Sequence, residues 1–147
     1  MRVPALLALF PILCVPLAWA ASPPGDPPML SAAASTNAFA TKLYSHLGGQ
    51  KPENLFFSPA SLTAALTLAY GGARGQTAAE MASVLALPTG GEAAHQAQGQ
   101  FLNWVQGQGK PEGRHFQLSM ANALWGQRDV HWRPDFLNLA KLHYTAG

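Results

Sequence analysis

A serine beside a proline, five histidines and seven carboxylates are the groups in this 147-residue chain with the means to do chemistry. A nucleophilic Ser58 would need the strained Gly-x-Ser-x-Gly turn that lifts the hydroxyl clear of the backbone. Phe56 and Ala60 stand where those glycines belong, and Ser58-Pro59 reads instead as a helix N-cap followed by proline at the first helical position. His46, His95, His115, His131 and His143 lack the i, i+4 spacing that sets two imidazoles on one helix face, and none has a cysteine partner. No metal or other cofactor is expected. Asp26, Glu53, Glu80, Glu92, Glu112, Asp129 and Asp135 are scattered, with no acid/base pair among them. "GGARGQT", residues 71–77, has the glycines of a phosphate loop but Gln76 in place of its lysine and a helix in front of it, so a turn between helices is expected. Catalytic residues are absent from this reading, and the chain is not read as an enzyme.

Nine basic and seven acidic residues give a formal charge of +2 with no basic stripe, which argues against nucleic acid as a partner. Residues 1–20, "MRVPALLALFPILCVPLAWA", carry one cation at Arg2, an apolar run broken by prolines, and a small-x-small ending. They read as a secretory signal cleaved after Ala20, which leaves no membrane segment and places the protein outside the cell, or in the periplasm of a bacterium. The single cysteine, Cys14, lies inside that segment, so the mature chain has neither disulfide nor thiolate chemistry. Residues 21–34, opening with "ASPPGDPP", read as a proline-rich extended lead-in.

The elements that must position any site follow from periodicity. Phe39, Leu43 and Leu47 recur every four positions and predict an amphipathic helix from Ser35 to Leu47, stopped by Gly48-Gly49. Asn54–Phe57 reads as a short buried strand, and a second helix runs from Pro59 to about Tyr70. Thr77-x-x-Glu80 fits a capping box opening a third helix, with Met81, Val84 and Leu85 on its apolar face and Pro88 closing it. A fourth is expected from Glu92 to about Gln106, with Ala94, Ala97, Phe101, Trp104 and Val105 on one side. Residues 116–125 alternate apolar and polar and predict a strand of about ten residues. Pro134 opens a last helix with Phe136, Leu139 and Ala140 inward.

Residues 59–70 carry no charge on any face, and a helix apolar all round is buried all round. The long strand also needs a partner, for which Asn54–Phe57 is too short. The chain therefore reads as the front part of a larger α+β domain whose sheet partners lie elsewhere.

Asn54, Phe56-Phe57-Ser58-Pro59, Ser61, Leu66, Gly72 and Thr77 stand at the spacing that marks the serpin family. "LSMANALWGQ", residues 118–127, resembles the second strand of that family's main sheet, and "FLNLAKLHY", 136–144, resembles the helix after it. The resemblance runs from about residue 35 to 147 and covers less than half of a serpin. It implies the serpin fold, and for a complete protein the suicide inhibition of serine endopeptidases through a reactive-centre loop that inserts into the main sheet after cleavage. That loop lies outside these residues, so the chain by itself is not expected to inhibit. A non-inhibitory serpin-fold protein, a carrier, chaperone or storage-like molecule, is the alternative. Ser58 and Ser61 match the family's shutter, hydroxyls beneath the sheet where it parts for the loop. Heparin-type glycosaminoglycan binding is argued against by a fourth helix without Lys or Arg and a first helix with only Lys42.

Overall fold

The computed structural model describes residues 27–49, 54–88, 90–107, 118–121, 123 and 125–144. The signal, the first part of the lead-in, and Phe116, Gln117, Asn122 and Leu124 of the expected long strand lie outside those residues.

Five helices follow one another: α1 (Pro28–Gly48), α2 (Pro59–Gly72), α3 (Gly75–Val84), α4 (Glu92–Val105) and α5 (Pro134–Tyr144). Helix α1 begins at Pro28 rather than Ser35, so residues 28–34, expected to be an extended lead-in, are helical. The reason is local: Pro27-Pro28 supplies proline at the helix start, Ser31 Oγ donates to the Pro28 carbonyl, and the first turn then reaches apolar Ala32. Ala32, Ser35, Thr36 and Phe39 form its buried stripe, while Leu47, expected on that stripe, is exposed, as is Tyr44.

The capping box is overturned. Helix α3 starts at Gly75, so Thr77 is already inside it, and Glu80 accepts a hydrogen bond from the Gln76 side chain (2.7 Å) one turn away. The helix ends ahead of Pro88, on Ala86 in the left-handed region (φ 53°). Leu87 N–H donates to the Ala82 carbonyl (3.0 Å) and Ala86 N–H to that of Ser83 (3.3 Å), the paired bonds that close a helix when glycine takes this place. An alanine here carries strain that glycine would not. The same turn is tied down by Ser35 Oγ of α1, which donates to the Ala86 carbonyl (2.9 Å).

No described residue belongs to a β-strand, so the β half of the expected α+β fold is not observed, and the described part is helical. Asn54–Phe57 has no regular structure and pairs with no strand among the described residues, and Phe56 is 97% exposed. The physical reason is the one the sequence raised: a strand needs another backbone to accept its N–H groups, and the described residues offer none.

Helix α2 buries one face, Thr63, Ala64, Thr67 and Leu68, against the other helices. Its opposite face is open, with Leu62 and Leu66 each more than a third exposed, so burial on all sides is not found. The core joins Ala64 and Leu68 of α2, Leu102 of α4, and Ala140 and Tyr144 of α5, with Met120, Phe136 and Leu139 packed against it. Helix α4 turns inward with Ala94, His95, Ala97, Gln98, Gly99 and Leu102, whereas Trp104, expected inside, is exposed. Gly99 is where α5 comes closest: a Cβ there would lie 2.9 Å from the His143 carbonyl oxygen.

Gly99→Val should therefore force α4 and α5 apart and cost about 1–3 kcal/mol, whereas Ala86→Gly should relieve the left-handed strain and gain up to about 1 kcal/mol. Denaturant midpoints of the two variants against the parent chain check both signs.

Candidate functional site

Ser58 and Ser61 sit together at the start of α2. Ser58 has extended backbone and caps the helix: Ser61 N–H donates to its Oγ (3.3 Å), while Ser58 Oγ–H donates to Ser61 Oγ (3.0 Å). Both sequence signals for the cap, serine then proline, are realised. The pair is open to solvent on the Ser58 side, next to exposed Leu55 and Phe56. Among the described residues its hydrogen bonds run between the two serines and the backbone, as a helix cap requires.

A buried aromatic and imidazole cluster lies elsewhere and was not singled out in the sequence. His95 of α4 is 2% exposed, and its Nδ1 lies 2.8 Å from the Tyr144 hydroxyl of α5. The ring stacks on Tyr70 of α2 (centroids 5.8 Å) and beside His143 (6.5 Å), and meets Tyr144 edge-on (5.9 Å). His143 Nε2 is paired with Glu92 Oε1 (2.6 Å) at the rim, and Tyr70 Oη accepts from Gly91 N–H (3.2 Å) at the entry to α4. Gly91 holds φ 66°, a conformation that leaves its N–H free to make that bond and that a side chain would resist. Three helices are thus pinned at one point.

Burial, the largest effect, pushes the His95 pKa down from 6.5 to about 4; the Glu92 carboxylate opposes this and His143 adds to it. The same burial, reinforced by Glu92, raises the Tyr144 hydroxyl well above its ordinary range. Both groups are neutral near pH 7. A neutral, enclosed imidazole whose partner is a phenol, with the carboxylate spent on a different histidine, makes a structural clasp rather than an acid/base machine. Among the described residues no group of three or more His, Cys, Asp or Glu is placed to hold a metal ion.

A second feature is the set of buried hydroxyls. Thr63 and Thr67, one turn apart and fully enclosed, have no hydrogen-bond partner among the described residues, nor do Thr36 Oγ1 of α1 and Gln98 Nε2 of α4. An orphaned hydroxyl costs free energy that a methyl would not. The sequence carried a signal for the threonines, since they lie in the uncharged stretch 59–70. It carried none for His95, whose neighbours His143 and Tyr144 are far along the chain.

The geometry can now be set beside known proteins. The family model for serpins, serine protease inhibitors, matches residues 34–147. The chain is 42% identical over 108 residues to an uncharacterized serpin-like protein of Thermococcus kodakarensis, covering 74% of this chain and 24% of that protein. It is 34% identical over 116 residues to serpin B6 of Macaca fascicularis (78% and 30%) and 32% identical over 93 residues to the leukocyte elastase inhibitor of Xenopus laevis (63% and 24%). The matched segment thus spans 24–30% of these relatives' length. No solved structure gives a significant match.

Two outcomes follow from the buried groups. The unfolded chain binds a proton to His95 more tightly than the folded one does, so the stability His95 contributes is complete above about pH 6.5 and is lost as the pH falls through about 4. Thermal midpoints measured across that window should fall with pH, and His95→Gln should flatten the slope; an unchanged slope in the variant would assign the proton to another group. Thr67→Val keeps the side chain's shape and removes an orphaned oxygen, so its denaturation midpoint should rise by the equivalent of about 1 kcal/mol, and a marked drop would reveal a partner for the hydroxyl.

Proposed function

The chain belongs to the serpin family, and from that premise we propose that it is the N-terminal portion of a secreted serpin whose complete form is a suicide-substrate inhibitor of serine endopeptidases. The observation that carries the proposal is the family match over residues 34–147, joined to a relative whose name states that it inhibits leukocyte elastase. The reactive-centre loop belongs to a segment outside these 147 residues, so the portion described here contributes the helical support of the main sheet and does not trap a protease by itself. The open apolar face of α2, with Leu62 and Leu66, suits a helix over which such a sheet lies. Secretion rests on the signal pattern of residues 1–20.

Within this reading Ser58 and Ser61 belong to the shutter. They stand at the end of α2 nearest the exposed Asn54–Phe57 segment, and their hydroxyls bond to each other. Hydroxyls able to exchange partners are suited to a sheet that opens and closes. Capping and gating are compatible, because the cap uses a lone pair of Ser58 Oγ and leaves Ser61 O–H to a partner from another strand.

The full-length product, mixed with trypsin-, chymotrypsin- and subtilisin-like proteases, should give a covalent complex that survives boiling in detergent. Absence of any complex across the panel would assign the protein to the non-inhibitory members of the fold, and a downstream reading frame without sheet strands or a C-terminal loop would overturn the assignment altogether.

A further inference from the structure

Between the last turn of α2 and the entry to α5 lies a cavity of about 310 Å³, walled by Arg74, His131, Trp132, Arg133 and Phe136, with Gly71 and Gly72 on the α2 side. Two arginines from separate parts of the chain converge here, and the lining contains no acidic side chain. In a protein whose nine Lys and Arg are otherwise dispersed, that is a local concentration of positive charge.

The walls are held in place before any ligand arrives. Arg74 donates through Nη1 to the carbonyls of Gly71 (3.0 Å) and Ala73 (2.6 Å), which fixes its guanidinium at the end of α2. Trp132 stacks on Phe136 with ring centroids 5.7 Å apart and planes 23° from parallel. The indole also rests against Gly126, so closely that a Cβ there would lie 2.8 Å from its Nε1. The nearest carboxylates, Asp135 and Glu92, line the adjoining cavity and each already faces a cationic or imidazole partner: Asp135 pairs with Arg133 (3.2 Å) and Glu92 with His143. The Arg133–Asp135 pair is exposed on both sides, so water screens it and Arg133 is readily recruited by a better-placed anion.

From this geometry we infer that the α2–α5 cavity is a binding site for a small aromatic acid, a planar ring bearing one carboxylate or sulfonate. The arginines take the anion through paired N–H donors, and the Trp132–Phe136 wall takes the ring. The site does not depend on protease inhibition, and the side chains named for it are all among the described residues.

Benzenesulfonate titrated into the isotope-labelled 147-residue chain tests the inference, with the Trp132 indole N–H resonance, assigned by Trp132→Phe, as the readout. A saturable shift is expected at Trp132, with benzyl alcohol and inorganic sulfate each binding about tenfold more weakly. Arg133→Gln should weaken benzenesulfonate about tenfold, Gly126→Ala should weaken it by displacing the indole, and Asp135→Asn, which frees Arg133, should tighten it. Arg74→Gln is read only if far-UV circular dichroism shows parental helix content, since Arg74 also closes α2; the exposed Arg133 needs no such condition. Equal shifts with benzyl alcohol, no saturable shift at all, or benzenesulfonate binding unchanged in Arg133→Gln would overturn the assignment.

Discussion

Helix α2 packs against each of the other four helices, and it can do so because it carries no charge. A single lysine or glutamate on its buried face would need a partner or a route to water, and Thr63, Ala64, Thr67 and Leu68 provide neither. Serine and proline start the helix, the glycines at its end let α5 approach, and Arg74 satisfies the carbonyls that glycine leaves exposed. Helices α4 and α5 then close over the same face through Leu102, Ala140 and Tyr144. Helix α1 packs chiefly on α4 and reaches α2 alongside it.

The clasp of His95, Tyr144 and Tyr70 adds direction to what is otherwise a small apolar core. Leucine and alanine faces are less directional than the 2.8 Å bond between His95 and Tyr144 and the stacking of His95 beside His143, which together fix the register of α5 on α4. The close approach at Gly99 fixes the same register from the backbone side. Against this order stand the unpartnered hydroxyls of Thr63 and Thr67, which leave α2 held by shape with part of its polar potential unspent.

The open surfaces carry a related message. Leu62 and Leu66 on α2 and Phe56 ahead of it face outward together, with apolar side chains that a finished surface would cover. They adjoin the serines of the proposed shutter, whereas the cationic cavity lies at the other end of α2. The helix thus has the proposed shutter at one end and the proposed anion site at the other.

How much of this was legible beforehand differs from element to element. The N-cap at Ser58 was readable because its side chain satisfies a backbone N–H within one turn, and the start of α5 at Pro134 because proline fixes its own backbone for the first helical turn. The start of α1 and the cap of α3 were misread for the complementary reason: Thr77-x-x-Glu80 has the right letters, but the helix was already under way from Gly75. Strand pairing at 54–57 and 116–125 was beyond sequence reading in another sense, since a strand is made by a second backbone. The sequence by itself determined the helices, the uncharged centre and the family, all of which are written in local spacing. Only the tertiary structure decided that His95 would be buried against Tyr144 and that Arg74 and Arg133 would share a cavity with Trp132, because those contacts join residues some fifty or more positions apart, and no local pattern records them.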